Sequence, residues 1–294
     1  MHPNIHGTGV ALVTPFKDDL CIDFKALTSL VEHCLSGGVN FLVVMGTTGE
    51  SATLTFSEKQ AVLTHVMDIN QGRVPVVLGI GGNNTQHVID QCLAFNLEGI
   101  EAILSVSPFY NKPTQEGIYQ HYKAISENSP IPIILYNVPG RTATNMSADT
   151  ILSLATDFNN IIGVKEASGD LHQIMEIIDR KPSGFVVLSG DDDLTVPIIL
   201  MGGQGVISVL GQALTKEYSS MVKFALMNDL VNSTQLHYDL RHFISPLFKE
   251  GNPAGIKKLL NILSICQDNV RLPLVKASKD IELEFKEKLD SLRN

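Results

Sequence analysis

Eight short, apolar and largely β-branched segments alternate with helical patterns between Gly9 and about Met227, and this rhythm limits the folds open to the chain. The segments begin near Gly9, Val39, Val74, Ile100, Ile131, Ile161, Gly184 and Gly205. Helix start and stop signals lie between them. Asp23 opens a helix that Gly37-Gly38 ends, and Ser57 with Gln60 reads as a capping box ahead of Ala61-Val62-Leu63. Thr85, Thr114, Ser147 and Asp170 are expected to cap the next helices. Regular strand–helix alternation implies parallel pairing through right-handed crossovers. Eight such units close into a (β/α)8 TIM barrel. An open, doubly wound sheet is the alternative, but no Gly-x-Gly-x-x-Gly follows the first strand, so nucleotide binding has no support.

After Met227 the strand pattern stops. Leu230 to Lys249, Asn252 to Ser264 and Lys279 to Leu292 are expected as three helices, punctuated by Pro253 and Arg271-Leu272-Pro273. The expected division is therefore a catalytic barrel over 1–227 and a C-terminal helical extension over 228–294. A chain of 294 residues, 44% hydrophobic and 18% charged, has the size and composition for this plan.

A net charge of −9 argues against a general nucleic-acid or anionic-membrane binder. No apolar run approaches the ~20 residues needed to cross a bilayer. Met1-His2-Pro3-Asn4 lacks the basic start and apolar core of a signal peptide, so no leader is expected. Cys21, Cys34, Cys92 and Cys266 have neither metal-like nor redox-like spacing, and read as reduced, buried thiols of a cytoplasmic protein.

In a (β/α)8 barrel, the reactive groups sit at the C-terminal ends of the strands. The sixth segment, Ile161-Ile162-Gly163-Val164-Lys165-Glu166, runs straight into a lysine. A strand buried on both faces would carry that ammonium into a mostly dry interior, where a charge needs a partner or a chemical task. Burial favours the neutral, nucleophilic form of an amine. The alternative is a lysine that snorkels from the strand end and pairs with Glu166 or another acid.

The other strand ends supply Gly46-Thr47-Thr48-Gly49-Glu50-Ser51, Pro108-Phe109-Tyr110-Asn111, Tyr136-Asn137-Val138-Pro139-Gly140-Arg141-Thr142 and Gly190-Asp191-Asp192-Asp193. Taken singly, each has a structural reading: a Ser/Thr-rich turn, a packing tyrosine, a surface arginine, an aspartate N-cap. Together, one amine, two phenols, hydroxyl-bearing backbone and one guanidinium suit Schiff-base chemistry on a small oxo-acid. No His/Cys/Asp cluster has metal spacing, which disfavours a metal-dependent aldolase. His87, His121 and His172 fall within expected helices and read as packing or surface residues. No Gly-x-Ser-x-Gly elbow supports a serine hydrolase.

Gly46-Thr47-Thr48-Gly49-Glu50, Tyr136-Asn137-Val138-Pro139 with Arg141-Thr142, and Gly163-Val164-Lys165-Glu166 resemble the dihydrodipicolinate synthase / N-acetylneuraminate lyase family of class I aldolases. The likeness runs from Gly7-Thr8 to Arg271-Leu272-Pro273-Leu274. Pro-Gly-Arg-Thr at Arg141 places the chain nearest the synthase branch, which condenses pyruvate with L-aspartate 4-semialdehyde in lysine and diaminopimelate biosynthesis.

The resemblance implies that Lys165 forms the Schiff base with pyruvate and that Tyr136, Thr48 and Tyr110 relay protons. Thr47 and Thr48 would hold the pyruvate carboxylate and Arg141 that of the semialdehyde, while Gly190 and Ile207 line the pocket. It implies no cofactor beyond the covalent imine. Tyr110 would reach in from a neighbouring subunit of a homotetramer, a dimer of dimers. Two alternatives stay open: a retro-aldol lyase or dehydratase of the same family, and an idle barrel that binds a small acid as a regulator.

The same resemblance implies an interface site for feedback lysine near Ser51, Ala52, Asn83, His87 and Phe109. Here Phe56, Lys59, His87 and Phe109 stand where lysine-sensitive relatives typically carry His, His, Glu and Tyr. A lost carboxylate and an added cation lead to the expectation of weak or absent inhibition by lysine.

Overall fold

The computed structural model describes residues 4–293. Residues 1–3, which carry part of the no-leader expectation, lie outside that range. Eight strands form a closed barrel in chain order: β1 (Gly7–Ala11), β2 (Phe41–Val44), β3 (Val76–Gly79), β4 (Ala102–Val106), β5 (Ile133–Asn137), β6 (Ile161–Glu166), β7 (Val186–Ser189) and β8 (Gly205–Ser208). Each neighbouring pair is parallel, and β8 closes onto β1. The TIM barrel expected from the sequence rhythm is present.

Around it lie α1 (Phe24–Ser36), α2 (Phe56–Asn70), α3 (Thr85–Ala94), α4 (Gln115–Asn128), α5 (Pro139–Thr142), α6 (Ala148–Asp157), α7 (Leu171–Arg180), α8 (Thr195–Leu200) and α9 (Thr215–Leu226). The chain continues through α10 (Leu230–Arg241), α11 (Ile244–Lys249), α12 (Ala254–Ile262) and α13 (Lys279–Arg293).

Side chains alternate across each strand, because successive residues point to opposite faces. Val43, Ile134, Tyr136, Leu188 and Ile207 pack in the barrel interior. Leu42, Val44, Ile133, Leu135 and Val187 instead join the larger core between sheet and helices. Both faces are buried, which explains why the strands read as continuous apolar runs.

Asp23, Thr114, Ser147 and Asp170 cap their helices as expected. Two caps shift. The capping box of α2 is Thr55 with Glu58, whose side chain returns to the Thr55 N–H at 2.8 Å, whereas Ser57 and Gln60 lie within the helix. Asn84 caps α3 through the His87 N–H, and Thr85 is already helical; its hydroxyl bonds His121 Nδ1 at 2.8 Å. The single helix expected over Leu230 to Lys249 is interrupted at His242–Phe243, where Phe243 turns inward and stacks on Phe285. Cys34, Cys92 and Cys266 are buried, but Cys21 is exposed, contrary to expectation.

The C-terminal segment reaches back to the top of the barrel. Lys257, fully buried, donates to Glu50 Oε1 at 2.5 Å and to the Asn269 carbonyl at 2.8 Å. The Arg271 N–H donates to the other Glu50 oxygen at 2.9 Å, and its guanidinium binds Glu58. The Phe16 ring lies under both cations, 4.1 Å from Lys257 Nζ and 4.5 Å from Arg271 Cζ. Residues more than two hundred positions apart thus hold the turn that follows β2.

Candidate active site

Period-two alternation sends Lys165 to the barrel interior and Glu166 to the opposite face. Lys165 is 5% exposed, and its Nζ lies 4.4 Å from the centre of the Tyr136 ring. Among the described residues, no carboxylate lies within ion-pair distance of this ammonium. Glu166 is otherwise engaged: its carboxylate accepts from Asn137 Nδ2 at 3.0 and 3.1 Å, from Gln173 Nε2 at 2.9 Å and from the Ser168 N–H at 2.9 Å. Burial pushes its pKa up, while these hydrogen bonds pull the other way. Pairing of Lys165 with Glu166 or another acid, the alternative left open by the sequence, does not occur among the described residues.

A cavity of about 80 Å³ opens above the lysine, and Thr47, Thr48, Tyr136, Arg141 and Gly190 help line it. Thr47 and Thr48 come from a 3-10 turn over Thr47–Gly49. Met45 and Glu50, at φ 61° and 54°, bracket that turn in the left-handed region, a conformation non-glycine residues adopt at a cost. The buried bonds to Glu50 and a bond from Thr14 Oγ1 to the Gly49 carbonyl at 2.7 Å hold it there. Gly190 is required by space: a Cβ would meet Ala167 Cβ at 2.5 Å and Lys165 Cε at 3.0 Å. Arg141, on α5, lies at the cavity mouth and makes no ion pair among the described residues.

Two of the sequence-derived residues stand apart from this cavity. Ile207 is fully buried in the barrel interior and is not among the lining residues. Tyr110 is 88% exposed, at φ 72°, and does not reach the cavity of its own chain. Ser51, Ala52, Asn83, His87 and Phe109 line a second cavity of about 530 Å³, as do Lys59, Thr47, Tyr136 and Arg141. Phe56 does not line it; its ring packs on Phe95 with centroids 4.8 Å apart.

Three features escaped the sequence reading. Asp192 is not a simple helix cap: it is buried and accepts from Ser208 Oγ at 2.5 Å and from the Val209 and Leu210 N–H groups. Asp191 lines the smaller cavity, and burial, reinforced by Asp193, pushes its pKa up to about 6. Asn252 donates to Thr48 Oγ1 at 3.0 Å across 204 positions, a link that no local pattern announces. Among the described residues, no group of three or more His, Cys, Asp or Glu is placed to hold a metal ion. No described helix is long and apolar enough to cross a membrane.

Comparison with known proteins places this geometry. A family model described as "Dihydrodipicolinate synthetase family" matches residues 4–292. A 4-hydroxy-tetrahydrodipicolinate synthase of Flavobacterium psychrophilum is 53% identical over 275 residues, 94% of each chain. One of Parabacteroides distasonis is 50% identical over 272 residues, 92% of each. Among solved structures, the chloride-inhibited dihydrodipicolinate synthase of Acinetobacter baumannii, complexed with pyruvate, superimposes with a TM-score of 0.95 at 37% identity, covering 98% of this chain and 99% of that one. The chain belongs to the dihydrodipicolinate synthetase family.

Proposed function

We propose that the chain is a 4-hydroxy-tetrahydrodipicolinate synthase, a lyase of lysine biosynthesis that condenses pyruvate with L-aspartate 4-semialdehyde through a Schiff base on Lys165. The observation that carries this reading is a buried amine with no ion-pair partner among the described residues, set over a tyrosine ring in the lining of a cavity. The Lys165 nitrogen attacks the pyruvate ketone. The carbinolamine loses water to give the iminium, and loss of a methyl proton gives the enamine. Its carbon bonds to the aldehyde carbon of the second substrate. The substrate's own amine then displaces Lys165 as the ring closes.

Tyr136, whose ring lies 4.4 Å from the nitrogen, serves as the proton carrier during carbinolamine collapse. Thr47 and Thr48 hold the pyruvate carboxylate, Thr48 continues the proton path, and Arg141 takes the carboxylate of the semialdehyde. Gly190 and Ile207 shape the site, the first by leaving room for the lysine stem and the second from below. The Tyr110 hydroxyl completes the path from a second copy of the chain, in a homotetramer built as a dimer of dimers. Its high exposure, and its absence from the lining of its own chain's cavity, support that arrangement. The reaction needs no metal or cofactor, and the enzyme works in the cytoplasm.

Steady-state assays test the reading. Condensation of pyruvate with L-aspartate 4-semialdehyde should be fast relative to pyruvate release from 2-oxo-sugar acids. The opposite order would make the protein a retro-aldol lyase.

A further inference from the structure

We infer that Asn252 accepts a hydrogen bond from the ammonium group of the second substrate, and so sets the preference for an amino-bearing semialdehyde. The inference rests on the proposed reaction and names a residue outside the strand-end motifs. Asn252 lies between α11 and α12, is 7% exposed and lines both cavities. Its Nδ2 donates to Thr48 Oγ1 at 3.0 Å, while its Oδ1 is buried and has no hydrogen-bond partner. Buried amide oxygens without a donor are rare, and one on a residue lining a substrate cavity calls for a donor from the ligand.

The chemistry of the two substrates narrows that donor. Pyruvate at neutral pH has no N–H or O–H to offer. The semialdehyde carries one strong donor, its ammonium, and a hydrogen bond from a charged donor is stronger than a neutral one. The bond to Thr48 fixes one end of a planar amide, so the oxygen at the other end is held rather than free to swing into bulk water. Arg141 lines both of the same cavities and takes the carboxylate. Gripping the amino-acid end from two sides leaves the aldehyde to face Lys165. The competing acceptor is the Asp191 carboxylate, which lines the smaller cavity and makes no ion pair among the described residues.

The test compares L-aspartate 4-semialdehyde with succinate semialdehyde, the same skeleton without the amine, at saturating pyruvate. The ratio of their affinities, from initial rates and from competition, is measured for wild type, Asn252→Ala, Asn252→Asp and Asp191→Asn. Loss of a charged hydrogen bond should shrink the preference for the amine about tenfold to a hundredfold in Asn252→Ala. Hydride trapping of pyruvate on Lys165 should persist in that variant. Asn252→Asp keeps an acceptor and should keep the preference, even if Asn252→Ala folds poorly. Equal weakening of both semialdehydes in Asn252→Ala, or loss of the preference in Asn252→Asp, would overturn the inference. So would loss of the preference in Asp191→Asn alone. Wild-type protein that is not trapped by pyruvate and hydride would instead bring down the Schiff-base reading beneath it.

Discussion

Tyr136 and Lys165 are register partners across β5 and β6, and the lysine Nζ stands 4.4 Å from the centre of the tyrosine ring. Sheet geometry rather than a mobile loop sets the backbones of this pair, so the phenol and the amine project from neighbouring positions on one closed sheet. Parallel pairing and strand alternation together place both side chains in the interior.

Removing only the phenolic oxygen therefore isolates its chemistry. Tyr136→Phe keeps the ring and its packing. We expect kcat to fall by about 10²–10⁴, the usual contribution of a positioned acid–base group. The melting temperature should stay within a few degrees of wild type. Rapid-quench trapping of the pyruvate imine should show slower formation, and unchanged imine formation would remove Tyr136 from that step.

The Glu50–Lys257 pair anchors the turn bearing Thr47 and Thr48, and both side chains are almost completely buried. Lys257→Met leaves a carboxylate buried without its cation. Breaking a buried pair from one side costs about 3–5 kcal/mol. Denaturant unfolding should show that loss, and the double variant Glu50→Gln/Lys257→Met should recover part of it.

Acid sensitivity should centre in part on Glu58. The Arg271 guanidinium beside it, helped by the Thr55 N–H, holds its carboxyl down at about 2. A depressed carboxyl contributes stability that is present above its ordinary range, near 4.5, and is lost as pH falls towards about 2. Glu58→Gln should be less stable than wild type at pH 7. The gap should narrow through that window and close at its lower end, as measured by thermal unfolding across pH.

Feedback by lysine should be weak or absent. The larger cavity presents the cations Lys59 and Arg141, and among the described residues its one lining carboxylate, Glu50, is bound to Lys257 and the Arg271 N–H. A lysine ligand would meet cations and find no free acid. A lost charged hydrogen bond is worth about 1.5–3 kcal/mol, or tenfold to hundredfold in affinity. Initial rates should therefore be insensitive to sub-millimolar lysine; inhibition in that range would contradict the argument.

The barrel was legible because its signals are local: an apolar run, a cap and a turn, repeated eight times. Lys165 was legible because a cation at the end of such a run is costly. Errors at the caps came from equally plausible neighbours, with Thr55 beside Ser57 and Asn84 beside Thr85. The break at Phe243 reflects packing on Phe285, a tertiary cause that helical periodicity does not encode. Asn252 and Lys257 stayed hidden for the same reason, since their partners Thr48 and Glu50 lie 204 and 207 positions away. Tyr110 was named only by the resemblance, and its side chain, 88% exposed, stands apart from the cavity of its own chain.

The central claim is that the Lys165 amine forms a covalent imine with a keto acid. Incubation with pyruvate, reduction with borohydride and peptide mass mapping read this directly. The account predicts a single reduced adduct on Lys165, absent without pyruvate and absent in Lys165→Ala. An unmodified Lys165 with the adduct on another lysine would contradict it.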